Sequence, residues 1–257
     1  MCSRGKLLQV LTLPAFNDNY IWLLVESTAT VVVDPGDAQP VIAALDELQK
    51  PLSAILVTHH HWDHVDGIAE LVEKYQCPVY GNTRVSADYL LQGGETLDIA
   101  GLLQKVQVLS VPGHTSDHLA YLIGERLFSG DTLFSAGCGK LFDGTAQQLL
   151  NSLEQICALP EQTLIYPTHE YTQNNLRFAK AVEPDNVWVD QRIEQALQLR
   201  GQGLTTLPVR LVDEKRYNPF LRSRENSVKV AIENHIGRSL NQDVDFFAEL
   251  RRWKDNF

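Results

Sequence analysis

Residues 56–67, LVTHHHWDHVDG, set His59, His60, His61 and His64, with Asp63 and Asp66, directly behind a short apolar run. The chain has eight histidines in all, so half of them fall in one loop. The preceding SAILVT has the length and composition of a buried strand. In extended backbone, residues two apart project to the same side, so His59 and His61 can reach one ion. A chain turning toward a helix can aim Asp63 and His64 elsewhere. One loop can therefore serve two metals.

The same arrangement recurs three times along the chain. PGHTSDH follows VQVLSV, GDT follows RLFS, and THEYT follows LIYP, so His114, Asp131 and His169 also sit just past strand ends. Such ends converge on one edge of an α/β sheet, the usual place for a site. Imidazole and carboxylate donors suit divalent zinc, iron or manganese, and the lack of cysteine in the cluster argues against a thiolate-rich structural zinc site. Seven donors divide naturally into three per ion with one shared carboxylate, for which Asp131 is the best candidate. A single histidine past a strand is ordinarily satisfied by a backbone group; four loops that end alike point to ligands. His60 reads as solvent-facing or as supporting the ligands, His118 as able to orient one, and His235 as a residue of the helical tail without a role in the site.

Outside these loops, TVVVDPGD reads as a strand closed by a turn, VIAALDELQK and IAELVEKYQ as amphipathic helices, and CPVYG, LAYLIG and TLIYPTHE as further strands. TAQQLLNSLEQICAL reads as a helix that begins at the N-cap Thr145 and stops before Pro160. Behind residue 172 the pattern turns helical, in NNLRFAKAV, VWVDQRIEQALQLRG and VDFFAELRRWKDNF. The expected organisation is an α/β catalytic domain over 1–171 and a helical domain over 172–257.

The 257 residues carry a net charge of −10, which disfavours nucleic acid as a partner. Residues 1–171 hold 8 basic against 20 acidic side chains, and 172–257 hold 14 against 12. The front can hold cations and the tail can meet an anionic small molecule. Cys2, Cys77, Cys138 and Cys157 form no C-x-x-C pair, so reduced thiols are expected. No apolar stretch approaches the roughly 18–20 residues that span a bilayer, and MCSRGKLLQVLTLPAF is a poor secretory signal. A cytoplasmic monomer without membrane contact is expected.

The chain resembles the metallo-β-lactamase superfamily, whose H-x-H-x-D-H hallmark stands here as HHHWDH, and within it the hydroxyacylglutathione hydrolases, or glyoxalase II. The closer resemblance lies in PAFNDNYIW, VDPGDA, PGHTSDH, GDTLFSAGCGKLFDGT, HEYTQNNLRFA, NPFLR and RRWKDNF, spread over nearly the full length. It implies an αββα sandwich followed by a smaller helical C-terminal domain, two divalent ions per chain, with zinc first and iron or manganese as alternatives, and hydrolysis of S-D-lactoylglutathione to D-lactate and glutathione. By position, His59, His61 and His114 would hold the first ion and Asp63, His64 and His169 the second, with Asp131 bridging. Glutathione would meet Lys140, Phe142, Tyr171, Arg251 and Lys254. Phe142 stands where many members have tyrosine; Asp66 and Asp117 add negative charge where glycine is expected or common, and Thr168 stands where a smaller residue is frequent.

Thioester hydrolysis needs a nucleophile at neutral pH and stabilisation of an oxyanion. Zinc can lower the pKa of bound water from 15.7 to about 7, worth roughly 12 kcal/mol at 1.36 kcal/mol per unit. A thiolate whose thiol titrates near ~8.5 departs without a strong acid, so none is required; Asp63 and Asp131 could orient the attacking hydroxide. Lys140, Arg251 and Lys254 suit the carboxylates of glutathione, although RRWK also fits a helix end where cations are favoured, and Tyr171 fits a packed aromatic. Cys138 reads as a turn residue rather than a nucleophile. Competing readings are a persulfide dioxygenase with one iron, a metal-dependent nuclease, a β-lactamase, and a metal-binding module without turnover.

Overall fold

Alternating and continuous apolar runs set the first elements of the chain, whose residues 8–257 are described by a computed structural model. Cys2 and the start of the N-terminal stretch lie outside the described residues. The chain divides into two compact units, one made of the chain up to Ser110 with Leu119–Gly124, the other of Val111–His118 with Glu125–Phe257.

In the first unit, β1 (Gln9–Ala15) and β2 (Asn19–Val25) form an antiparallel hairpin, and β3 (Thr30–Val33) pairs antiparallel with β2. Helix α1 (Ala38–Leu48) starts where the Asp37 carboxylate accepts the Gln39 N–H at 2.9 Å. It leads to β4 (Ala54–Leu56), α2 (Trp62–Val65), α3 (Ile68–Tyr75), β5 (Val79–Gly81) and β6 (Tyr89–Leu90). The six strands make one sheet in chain order, parallel from β3 onward. Every residue of β2, β3 and β4 is buried, as expected of strands covered on both faces. Ile21, Leu23, Val32, Val41, Leu45, Ile55 and Leu71 form the core between sheet and helices. Strands β7 (Thr96–Leu97), β8 (Val106–Ser110) and β9 (Leu119–Ile123) follow as an antiparallel run.

The second unit opens with β10 (Arg126–Gly130) and a small hairpin of β11 (Leu133–Phe134) and β12 (Gly137–Cys138). Helix α4 (Ala146–Cys157) has the expected N-cap, with Thr145 and Gln148 forming a reciprocal capping box. Strand β13 (Leu164–Pro167) lies parallel to β10. Then come α5 (Thr172–Val182), α6 (Val187–Gly201), β14 (Val209–Arg210), α7 (Leu211–Tyr217), α8 (Asn226–Ile236) and α9 (Asp243–Asp255). Helices α7 and α8 were not anticipated. NSVKVAIENHI is rich in β-branched residues and asparagine, which are weak helix formers; burial of Val228 and Ile232 sustains the helix instead. No described helix is long and apolar enough to cross a membrane.

Candidate metal centre

The first unit carries its candidate ligands on one turn. After β4 the chain bends at Thr58, is extended at His61 and then winds into α2, so the backbone changes direction between His61 and Asp63. His59 and His64 are fully buried, their ring centroids 4.1 Å apart. His59 Nε2 lies 2.9 Å from His61 Nδ1. His60 is half-buried beside both rings.

The supporting groups fix which nitrogens are available. Asp34, at the end of β3, accepts the Thr58 N–H on Oδ1 and the Thr58 hydroxyl on Oδ2, both at 2.8 Å. Its Oδ2 also lies 3.0 Å from His64 Nδ1. The Thr58 hydroxyl is 3.1 Å from His59 Nδ1. Because the Thr58 hydroxyl donates to Asp34, it accepts from His59 Nδ1, which puts that ring's proton on Nδ1 and its lone pair on Nε2, facing His61. Asn19, at the start of β2, donates to Asp63 Oδ2 at 2.9 Å.

The second unit gathers His114, Asp131 and His169. Asp131 Oδ2 lies 3.5 Å from His114 Nε2 and 3.4 Å from His169 Nε2, and all three residues are buried. His114 Nδ1 donates to the Lys140 carbonyl at 2.8 Å, which again leaves Nε2 as the donor. His118 is no ligand here: its Nε2 accepts the Asp131 N–H at 3.1 Å and its Nδ1 faces the Thr132 hydroxyl at 3.2 Å. It fixes the backbone that carries Asp131. The ring of His169 stacks on Tyr171 at 4.6 Å.

The residues expected to meet substrate fall into two kinds. Lys140 and Phe142 are exposed, with the Phe142 ring edge-on to His114 at 5.0 Å. Arg251 is buried, donating to the Cys138 carbonyl at 2.9 Å and pairing with Asp255 at 2.9 Å. Lys254 is half-buried over the Phe178 ring; burial, helped by Arg251, lowers its ammonium below the usual range. Burial pushes the Cys138 thiol up to about 11, in keeping with a turn residue rather than a nucleophile. His235 stacks on Trp253 at 4.0 Å, a packing role. Asp66 is exposed at the end of α2, and Thr168 is buried at the end of β13. The supporting roles of Asp34 and Asn19 were not read from the sequence, although VDPGD and NDNY mark the turns that carry them.

A family model described as the metallo-beta-lactamase superfamily matches residues 16–89 and 83–169, and one described as hydroxyacylglutathione hydrolase C-terminus matches 170–257. The hydroxyacylglutathione hydrolase of Aeromonas hydrophila subsp. hydrophila is 49% identical over 253 residues, covering 96% of this chain and 99% of its own. Among solved structures, ETHE1 from Myxococcus xanthus is similar at 26% identity and a TM-score of 0.64, covering 96% of this chain and 98% of that one. TTHA1623 in a di-iron-bound form is similar at 28% identity and a TM-score of 0.54, covering 63% and 91%.

Proposed function

Because the chain belongs to the hydroxyacylglutathione hydrolase family, with the metallo-β-lactamase fold ahead of a helical C-terminal region, we propose that it hydrolyses S-D-lactoylglutathione to D-lactate and glutathione at a centre of two divalent ions. The observation that carries this reading is the state of the imidazoles: His59 and His114 each have Nδ1 hydrogen-bonded to a neighbouring oxygen, which puts the lone pair on Nε2, while the Asp34 carboxylate stands 3.0 Å from His64 Nδ1. That donor chemistry fits zinc, iron or manganese. We take His59, His61 and His114 for one ion and Asp63, His64 and His169 for the other, with Asp131 bridging. The di-iron form of a similar protein supports two ions per chain; we take zinc as the first choice.

Ions held there supply Lewis acidity and bring water's pKa toward neutrality. The chain's own groups do the rest. Asn19 holds one Asp63 oxygen, which leaves the other to a metal or a proton. His118 fixes the Asp131 backbone. Glutathione's carboxylates meet Lys140 and Lys254, with Phe142 and Tyr171 flanking. Arg251, committed to the Cys138 carbonyl and Asp255, acts on the tripeptide chiefly by setting the segment that ends in Lys140. In this reading residues 1–171 do the chemistry and 172–257 add a contact to glutathione through Lys254, in a cytoplasmic monomer.

The deciding experiment is Asp131→Ala with metal content and lactoylglutathione hydrolysis measured together. We expect less than two ions per chain and a rate lowered by more than about 100-fold, beyond what loss of an outer partner costs. Wild-type hydrolysis at wild-type metal content would remove the bridging assignment.

A further inference from the structure

We propose that Asn218 and Glu214, in the helical region, are positioning residues for the metal centre: they clamp the β11–β12 hairpin, whose continuation fixes His114 and Asp131. The inference rests on the reading of those two residues as ligands.

Both side chains are fully buried, and both are spent on one turn. Asn218 Nδ2 lies 3.1 Å from the Phe134 carbonyl, 3.0 Å from that of Gly137 and 2.9 Å from Glu214 Oε2, so its two N–H groups are shared among three acceptors. Glu214 Oε2 accepts the Ala136 N–H at 2.8 Å, and Oε1 accepts the Tyr217 hydroxyl at 2.7 Å. Ala136 has φ +56°, a left-handed conformation unfavourable for alanine that the surroundings must hold. Asn175 donates to the Ser135 carbonyl at 3.0 Å and Arg251 to that of Cys138. The carbonyls of residues 134, 135, 137 and 138 are thus all gripped by side chains from beyond residue 170.

From Cys138 the chain reaches the ligands in two residues. A Cβ on Gly139 would stand 2.0 Å from the Asp131 carbonyl oxygen and 3.0 Å from His114 Cβ, so this backbone is in contact with both. Lys140 then presents the carbonyl that holds the proton on His114 Nδ1. A hairpin that shifts takes this carbonyl with it and frees His114 to turn or change tautomer. Outer partners of this kind govern metal affinity by about 10–100-fold.

The test uses the full chain and Asn218→Asp, which keeps the shape of the side chain and removes its N–H donors. Zinc affinity is read by competition with a chromophoric chelator, and amide exchange of residues 133–138 by mass spectrometry on the metal-free protein. We expect zinc affinity to fall about 10–100-fold and hairpin exchange to speed up, and Glu214→Ala, which removes the acceptor of the Ala136 N–H, to move both readouts in the same direction. If Asn218→Asp does not fold, Asn218→Ser is read by the same criteria. Unchanged exchange overturns the clamp whatever the metal does. Faster exchange with unchanged zinc affinity overturns its link to the centre, and a wild-type chain that takes up no divalent ion overturns the metal reading and that link with it.

Discussion

Gly36 shows how tightly the turn after β3 is pressed against the histidine loop. A Cβ there would stand 1.9 Å from the Asp63 carbonyl oxygen and 2.4 Å from its carbon, both backbone atoms that cannot rotate away. The glycine lets Asp34, two residues earlier, reach Thr58 and His64 while Asp63 stays within reach of Asn19. Gly36→Ala should cost about 1–3 kcal/mol, as overpacking does, and should also weaken metal binding because the clash falls on the backbone of a proposed ligand. Chemical denaturation and zinc titration check this. A variant of wild-type stability would mean that the loop has room to yield.

At the scale of elements, the buried Glu183 at the end of α5 is tied to half-buried Arg222, ahead of α8, by an ion pair and to the first turn of α8 through Ser227. Glu183 accepts from Arg222 Nε at 2.8 Å and Nη2 at 3.0 Å, and from the Ser227 hydroxyl at 2.7 Å. Burial by itself would raise the Glu183 carboxyl; the bonds from Arg222, Ser227 and Asn186 more than offset it and leave it below the usual carboxylate range. A carboxyl lowered on folding stabilises the protein above its ordinary pKa of 4.5, and that contribution is lost as pH falls through the lowered value. Glu183→Gln should therefore melt below wild type at pH 7, with the gap in Tm narrowing as pH is taken from 5 toward 3. A gap independent of pH would show that the pairing adds nothing through charge.

For the whole molecule, seven proposed ligands spread from His59 to His169 along the chain are brought into use only by folding. On that assignment metal binding is part of the folding equilibrium. Free zinc at 100 times its dissociation constant stabilises by about 2.7 kcal/mol. At about 2–4 °C per kcal/mol this raises Tm by roughly 5–10 °C over the chelated protein. Calorimetry with and without chelator measures it, and an unchanged Tm would contradict ligation in the folded state.

The residue types and spacing of HHHWDH, PGHTSDH, GDT and THE nominate the candidate donors by themselves, because His and Asp side chains can ligate metal and strand ends leave their loops at predictable places. Thr145 was legible for the same local reason: a cap and its partner lie three residues apart. What acts across the chain was not legible. Asp34 acts on a loop 24 residues later, Asn19 on Asp63 44 residues on, and Asn218 on carbonyls more than 80 residues before it. Arg251 looked from its basic neighbours like a free grip for a carboxylate; folding buries it against Cys138 and Asp255. Local sequence determined which side chains can bind metal and roughly where the helices start. Only tertiary structure decided which nitrogen of His59 and of His114 carries the proton, since that is set by the oxygen the fold places beside each ring.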